Sequence, residues 1–161
     1  LHPGTGNCIL EVIAMDEIER AQRQAVVAEA RSWIRTPYHD MARVKGPNGG
    51  VDCGMLLLEV FERCGLIEHV DVGYYSPDFY LHRSDPQYMN WVKKYAKEVR
   101  RKPLPGDIIL YNFGRQPAHG VIVVEWPIII HAYKRARMVI QDDASKGELP
   151  GRQAGIFSFW G

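Results

Sequence analysis

Apolar positions along the chain follow two regimes. Up to about residue 100 they recur every three or four residues, and beyond it they alternate or gather in short runs bounded by turn residues. In the first regime Ile18, Ala21, Ala25, Ala28 and Trp33 predict an amphipathic helix over 16–34, ended by Thr36-Pro37 because a proline biases the preceding residue out of helical geometry. Leu56, Leu57, Val60, Phe61 and Cys64 predict a second, nearly buried helix that Gly65 terminates. Tyr88, Trp91, Val92, Tyr95 and Val99 predict a third over 85–100. In the second regime, strands are expected at 108–113, 120–124, 128–133, 138–141 and 156–160, with Pro103-Leu104-Pro105-Gly106-Asp107 as the turn that opens the series. Helices followed by a run of short strands predict an α+β fold with an antiparallel sheet rather than an alternating parallel one. Residues 1–15 read as a flexible N-terminal segment, with a short apolar piece at 8–14, and 16–161 as a single domain.

The bulk numbers narrow the function. A chain of 161 residues can build one good core, and 46% hydrophobic with 24% charged residues is the balance of a globular protein. The net charge of +1 gives no electrostatic case for nucleic acid or an anionic membrane as partner. The basic clusters Arg100-Arg101-Lys102 and Lys134-Arg135-Ala136-Arg137 are expected on solvated faces. No run is long enough to span a membrane, and the N-terminus lacks the charged-then-apolar layout of a signal peptide. Localisation stays open. Cys8, Cys53 and Cys64 are an odd number without C-x-x-C spacing, which argues against a disulfide framework and against structural zinc. No cofactor is called for.

Chemistry concentrates at Gly49-Gly50-Val51-Asp52-Cys53-Gly54, where a loop of Tyr38-His39-Asp40 and Lys45-Gly46-Pro47-Asn48 enters the second helix. Asp52 is suited to cap that helix, leaving Cys53 as its first residue, with Gly50 as a flexible entry. A thiol there feels the positive end of the helix dipole, which favours the nucleophilic thiolate. A buried, inert cysteine is the competing reading. Cys64, at the far end of the helix, is assigned to packing. The aromatic segment Gly73-Tyr74-Tyr75-Ser76-Pro77-Asp78-Phe79-Tyr80-Leu81-His82 is expected to be both a surface flap and a functional rim.

A cysteine nucleophile needs a base and a group that orients the base. Of six histidines, His119 and His131 stand out, because Glu125-Trp126-Pro127 lies near the middle of the segment between them. If that segment is a hairpin, the two imidazoles meet on one face, directly or diagonally. His119, at the start of its strand, then serves as base, and His131 accepts its other N–H. His39 is the competing partner. Neither an H-x-x-x-H zinc pattern nor a G-x-S-x-G nucleophile turn is present.

Over roughly residues 20–145 the chain resembles the NlpC/P60 cysteine peptidases of the papain-like superfamily. The resemblance is carried by Thr36-Pro37-Tyr38, Asp52-Cys53-Gly54, Pro105-Gly106-Asp107-Ile108, Ala118-His119-Gly120-Val121-Ile122-Val123 and Ile130-His131-Ala132, in that order. It implies Cys53 as nucleophile, His119 as base and His131 as the polar third member. It also implies Tyr38 as a hydroxyl donor beside the thiol, Asp52 near the substrate's amine end, and the Cys53 N–H in the oxyanion hole. The implied activity is hydrolysis of an amide in bacterial peptidoglycan stem peptides, at the γ-D-glutamyl to diaminopimelate bond. Residues 74–80 and 120–133 look most like the phage-tail branch, which would make tail proteins partners. The family's usual Asp-Cys-Ser-Gly is Asp52-Cys53-Gly54-Met55 here, which bears on specificity more than on chemistry. An amidase or acyltransferase on the same Cys-His site, and a non-catalytic tail or wall-binding module, are the alternatives.

Overall fold

The structure is a computed structural model that describes residues 5–70 and 87–161, with side chains described outside 5–15, 87–89 and 116. Helix α1 spans Thr5–Ser32, β1 Arg43–Val44, β2 Gly50–Val51, α2 Cys53–Arg63 and α3 Gln87–Tyr95. There follow β3 Lys97–Val99, β4 Ile108–Phe113, β5 Gln116–Glu125, β6 Ile128–Tyr133, β7 Met138–Asp143 and β8 Gln153–Ser158. The strands β3-β8-β4-β5-β6-β7 form one antiparallel sheet in that order, and β1 and β2 pair separately. This is the α+β arrangement that the segregation of helices and strands predicts.

Alternation along the strands splits the core between two faces. Ile108, Leu110, Ile122, Val124, Ile130 and Ala132 pack with Val26, Ala30 and Trp33 of α1 and with the apolar side of α2. Ile109, Tyr111, Val121, Val123 and Ile129 join Ala144 and Leu149 of the segment after β7. With both faces covered, the central strands read as continuous apolar runs, and β4 and β6 have the expected bounds.

Several boundaries differ from expectation: β5 runs Gln116–Glu125 rather than 120–124, and β8 runs Gln153–Ser158 rather than 156–160. Helix α1 runs from Thr5 to Ser32 rather than over 16–34, taking in the apolar piece at 8–14. The predicted third helix stops at Tyr95, and Lys97–Val99 pair with β8 as a sheet edge, so Val99 belongs to the second core cluster. Strand β7 runs two residues past Gln141, to Asp143. The aromatic segment at 73–82 lies outside the described residues.

Pro105-Gly106-Asp107 is a structural joint. Asp107 is fully buried; Arg23 of α1 reaches its Oδ1 at 2.8 Å, and Arg101 reaches its Oδ2 at 2.7 Å. The Leu104 N–H also donates to it at 2.8 Å, while Arg23 donates to the Pro105 carbonyl and lies over the Trp160 ring. Gly106, at φ +86°, takes a left-handed backbone conformation that strains an L side chain, and a Cβ there would also crowd Trp160 at 3.2 Å. Arg101 is therefore held against a buried carboxylate and does not stand on a solvated face. Among the described residues, no helix is long and apolar enough to cross a membrane.

Candidate active site

Helix α2 starts as the sequence predicts. Asp52 adopts extended backbone geometry and its Oδ1 accepts the Met55 N–H at 2.9 Å, so Cys53 is the first helical residue. Its Oδ2 accepts the Met41 N–H at 2.7 Å, tying the preceding loop to the same carboxylate. At the other end Gly65 and Leu66 donate to the Glu62 and Phe61 carbonyls in a Schellman closure. Gly50 corrects expectation. It is buried in β2, where a Cβ would lie 2.7 Å from the His39 Cβ, so the position needs close approach rather than flexibility. Tyr38 is brought beside this turn by a parallel bridge to Val51, with its N–H on the Arg137 carbonyl.

Across from the turn runs β5. Its pairing with β4 sets His119 opposite Tyr111 and Pro117 opposite Asn112, so Ala118 is the extra residue of a β-bulge. Bulges redirect backbone and side chains next to sites. Here the freed Ala118 carbonyl accepts from the Cys53 thiol at 3.6 Å, which places the sulfur one residue along the backbone from His119. His119 itself lies well inside β5 rather than at its start.

The β5–β6 hairpin joins the two histidines. Ile122 lies opposite Ile130. His119 and His131 are thereby diagonal neighbours, His119 Nε2 standing 2.8 Å from His131 Nδ1. The sequence missed the next member. Asp142, on β7, has Oδ2 at 3.0 Å from His131 Nε2, and its Oδ1 accepts the Asp143 N–H at 2.8 Å. The available signal was the strand period, for Ile140 stands opposite His131 and Asp142 is two residues further on the same face. The His131 ring also stacks on Tyr133 at 4.6 Å, whose hydroxyl donates to Glu148, and Arg135 pairs with Glu148 at 3.2 Å. Phe113 touches the edge of His119 at 5.6 Å.

Burial governs the charge of this chain. It pushes His119 down to about 3, with the neighbouring His131 adding to the effect. It also lowers His131, against the opposing pull of Asp142 and Glu148. Both rings are therefore neutral at neutral pH, and His119 is available as a proton acceptor. Tyr133 is raised to about 12 by burial and by its bond to Glu148.

The competing candidates lie apart from this chain. His39 is exposed, its Nδ1 3.1 Å from the Asp40 carbonyl oxygen. Cys64 is half-buried against the core, and burial raises its thiol pKa. Among the described residues, no group of three His, Cys, Asp or Glu could hold a metal ion.

A helix-capped thiol thus lies beside a hairpin of the antiparallel sheet whose two strands each carry one imidazole of a hydrogen-bonded pair. Among solved structures the chain is similar to NlpC1 from Trichomonas vaginalis, at 17% identity and TM-score 0.60, covering 81% of this chain and 41% of that one. It is similar also to the peptidoglycan hydrolase RipB from Mycobacterium tuberculosis, at 18% identity and TM-score 0.58, covering 87% and 65%. RipD of the same organism, described as a non-catalytic NlpC/p60 domain protein adapted to peptidoglycan binding, matches at 14% identity and TM-score 0.55, covering 85% and 96%. The fold is thus that of NlpC/P60 domains, and the chain spans less than half the length of the Trichomonas protein. No family model and no curated protein matches the sequence.

Proposed function

We propose that the protein is a cysteine hydrolase acting on an amide bond of peptidoglycan stem peptides. The observation that carries this reading is the Cys53 thiol, first in its helix, lodged on the bulge carbonyl that immediately precedes the His119–His131 pair. The printed descriptions of RipB and RipD give peptidoglycan as the polymer that their domains cut or bind. RipD also shows that the fold alone does not make a hydrolase. The thiol and both imidazoles, retained here, favour the enzyme over the binding module.

In this mechanism His119 takes the thiol proton on Nδ1, since its Nε2 faces His131, as Sγ adds to the amide carbonyl carbon. The oxyanion is held by the Cys53 N–H at the positive end of α2, with Tyr38 as a second donor. The tetrahedral intermediate collapses to a thioester as the imidazolium protonates the departing amine. Water then adds to the thioester, giving one proton to His119, and the C–S bond breaks to release the acid and restore the thiol. Asp52, which holds the turn with both carboxylate oxygens, is assigned to the substrate's amine end. The bond assigned is γ-D-glutamyl to diaminopimelate, and delivery by a phage tail is proposed from the sequence resemblance at 74–80 and 120–133.

Mass spectrometry of muropeptides after digestion of purified sacculi tests this. Wild type is expected to release fragments with a new amine terminus, and Cys53→Ala none. Intact muropeptides with wild type, together with retention of the protein on sacculi, would give the site to binding instead.

A further inference from the structure

We infer that Asp142 is a positioning residue that sets the tautomers of both histidines, so that His119 presents an unprotonated Nδ1. Only its kinetic consequence rests on the hydrolase reading above. A carboxylate can only accept hydrogen bonds, so the contact at 3.0 Å requires His131 to carry its proton on Nε2. Nδ1 of a neutral His131 is then an acceptor. The contact at 2.8 Å in turn requires His119 to donate from Nε2, which leaves the lone pair on its Nδ1. One carboxylate at the end of the chain thereby fixes two rings.

The geometry around the chain supports positioning over simple packing. His131 is fully buried, whereas the Asp142 side chain is 37% exposed, so it contributes little to the core. Its orientation is set on the other side by the Asp143 N–H, which Oδ1 accepts at 2.8 Å. Among the described residues, the other charged or titratable groups about His131 are His119 from β5, Tyr133 on its own strand, and Glu148 with its partner Arg135. Glu148 is already occupied by the Tyr133 hydroxyl and the Arg135 guanidinium.

The Asp143 N–H makes the inference sharp. In Asp142→Asn, that donor selects the amide oxygen, so the NH₂ group turns toward His131. It donates to Nε2, the His131 proton moves to Nδ1, and His119 must accept on Nε2 and carry its proton on Nδ1. The base is then blocked. In Asp142→Ala neither tautomer is imposed. Asn, the closer isostere, is therefore expected to be the worse replacement, an order that a merely structural role would reverse.

The experiment measures histidine ¹⁵N shifts and kinetics on sacculi for wild type, Asp142→Asn and Asp142→Ala. Wild type is expected to show both rings protonated on Nε2, Asn both on Nδ1, and Ala a mixture. Activity in the Asn variant is expected to fall about 10²- to 10⁴-fold, by analogy with removal of the orienting carboxylate in a serine triad, and at least about tenfold further than in Ala. Unchanged tautomers in the Asn variant, or Ala at least as impaired as Asn, would overturn the inference. If wild type is inactive on sacculi, the hydrolase reading fails and the ¹⁵N shifts alone decide the role of Asp142.

Discussion

Two buried polar networks cross this molecule, and they are built to opposite ends. Around Asp107, two guanidiniums and a backbone N–H meet one fully buried carboxylate, and with Glu19 as the second carboxylate on Arg23 the permanent charges balance at the joint between α1 and the sheet. Along His119, His131 and Asp142 only the last group carries a permanent charge, and burial keeps both rings neutral. The first network is closed on itself. The second begins one residue from a thiol, and its members can exchange protons. Buried charge in a matched pair fixes geometry, whereas buried neutral imidazole keeps a base ready; the two are told apart by asking what each loses on mutation.

The largest separation is expected at His119. Replacing it with Gln should lower hydrolysis of sacculi about 10²- to 10⁴-fold, worth about 2.7–5.5 kcal/mol of barrier, while the urea midpoint moves little. If stability fell instead and activity survived, the two networks would have been assigned the wrong way round. Asp107→Ala should do the converse. It leaves Arg23 and Arg101 facing an empty site, and a broken buried pair costs about 3–5 kcal/mol of stability. Urea unfolding reads this directly, and a loss below about 1 kcal/mol would show that the joint is dispensable.

Acid separates the networks next. An ordinary histidine titrates near 6.5, and His119 is held down at about 3, with His131 also lowered. The unfolded chain therefore binds protons that the folded chain refuses. The stability gained by keeping the rings neutral is complete above about pH 6.5 and is lost as the pH falls toward 3. The urea midpoint should drop between about pH 7 and about pH 4.5, and drop less in His119→Gln. Equal drops would place the acid sensitivity elsewhere. The smallest effect is expected at Tyr111, opposite His119, whose buried hydroxyl has no hydrogen-bond partner among the described residues. Tyr111→Phe should leave stability within about 1 kcal/mol or raise it, since removing an unsatisfied group relieves a desolvation cost.

Much of this was legible before any coordinates. The Asp52 cap and Cys53 as first helical residue follow from one short turn, and β4 and β6 keep their bounds because turn residues fence their apolar runs. The pairing of His119 with His131 follows from the length of the hairpin. What stayed hidden needed tertiary context. Lys97–Val99 continue a helical pattern, but the edge of β8 claims them as a strand. Asp142 was unseen because it lies past the apolar end of its strand, and its role appears only once β7 is in register with β6. Gly50 read as a hinge, because no local pattern reveals the His39 Cβ above it.

The central claim is that Cys53 is activated by its surroundings and Cys64 is not. Competitive alkylation with iodoacetamide near neutral pH, resolved by peptide mapping, compares these two of the three thiols within one molecule. Cys53 is expected to react at least about tenfold faster than Cys64, and to lose that advantage in His119→Gln. Equal rates in the wild type, or an advantage untouched by the loss of His119, would contradict the account.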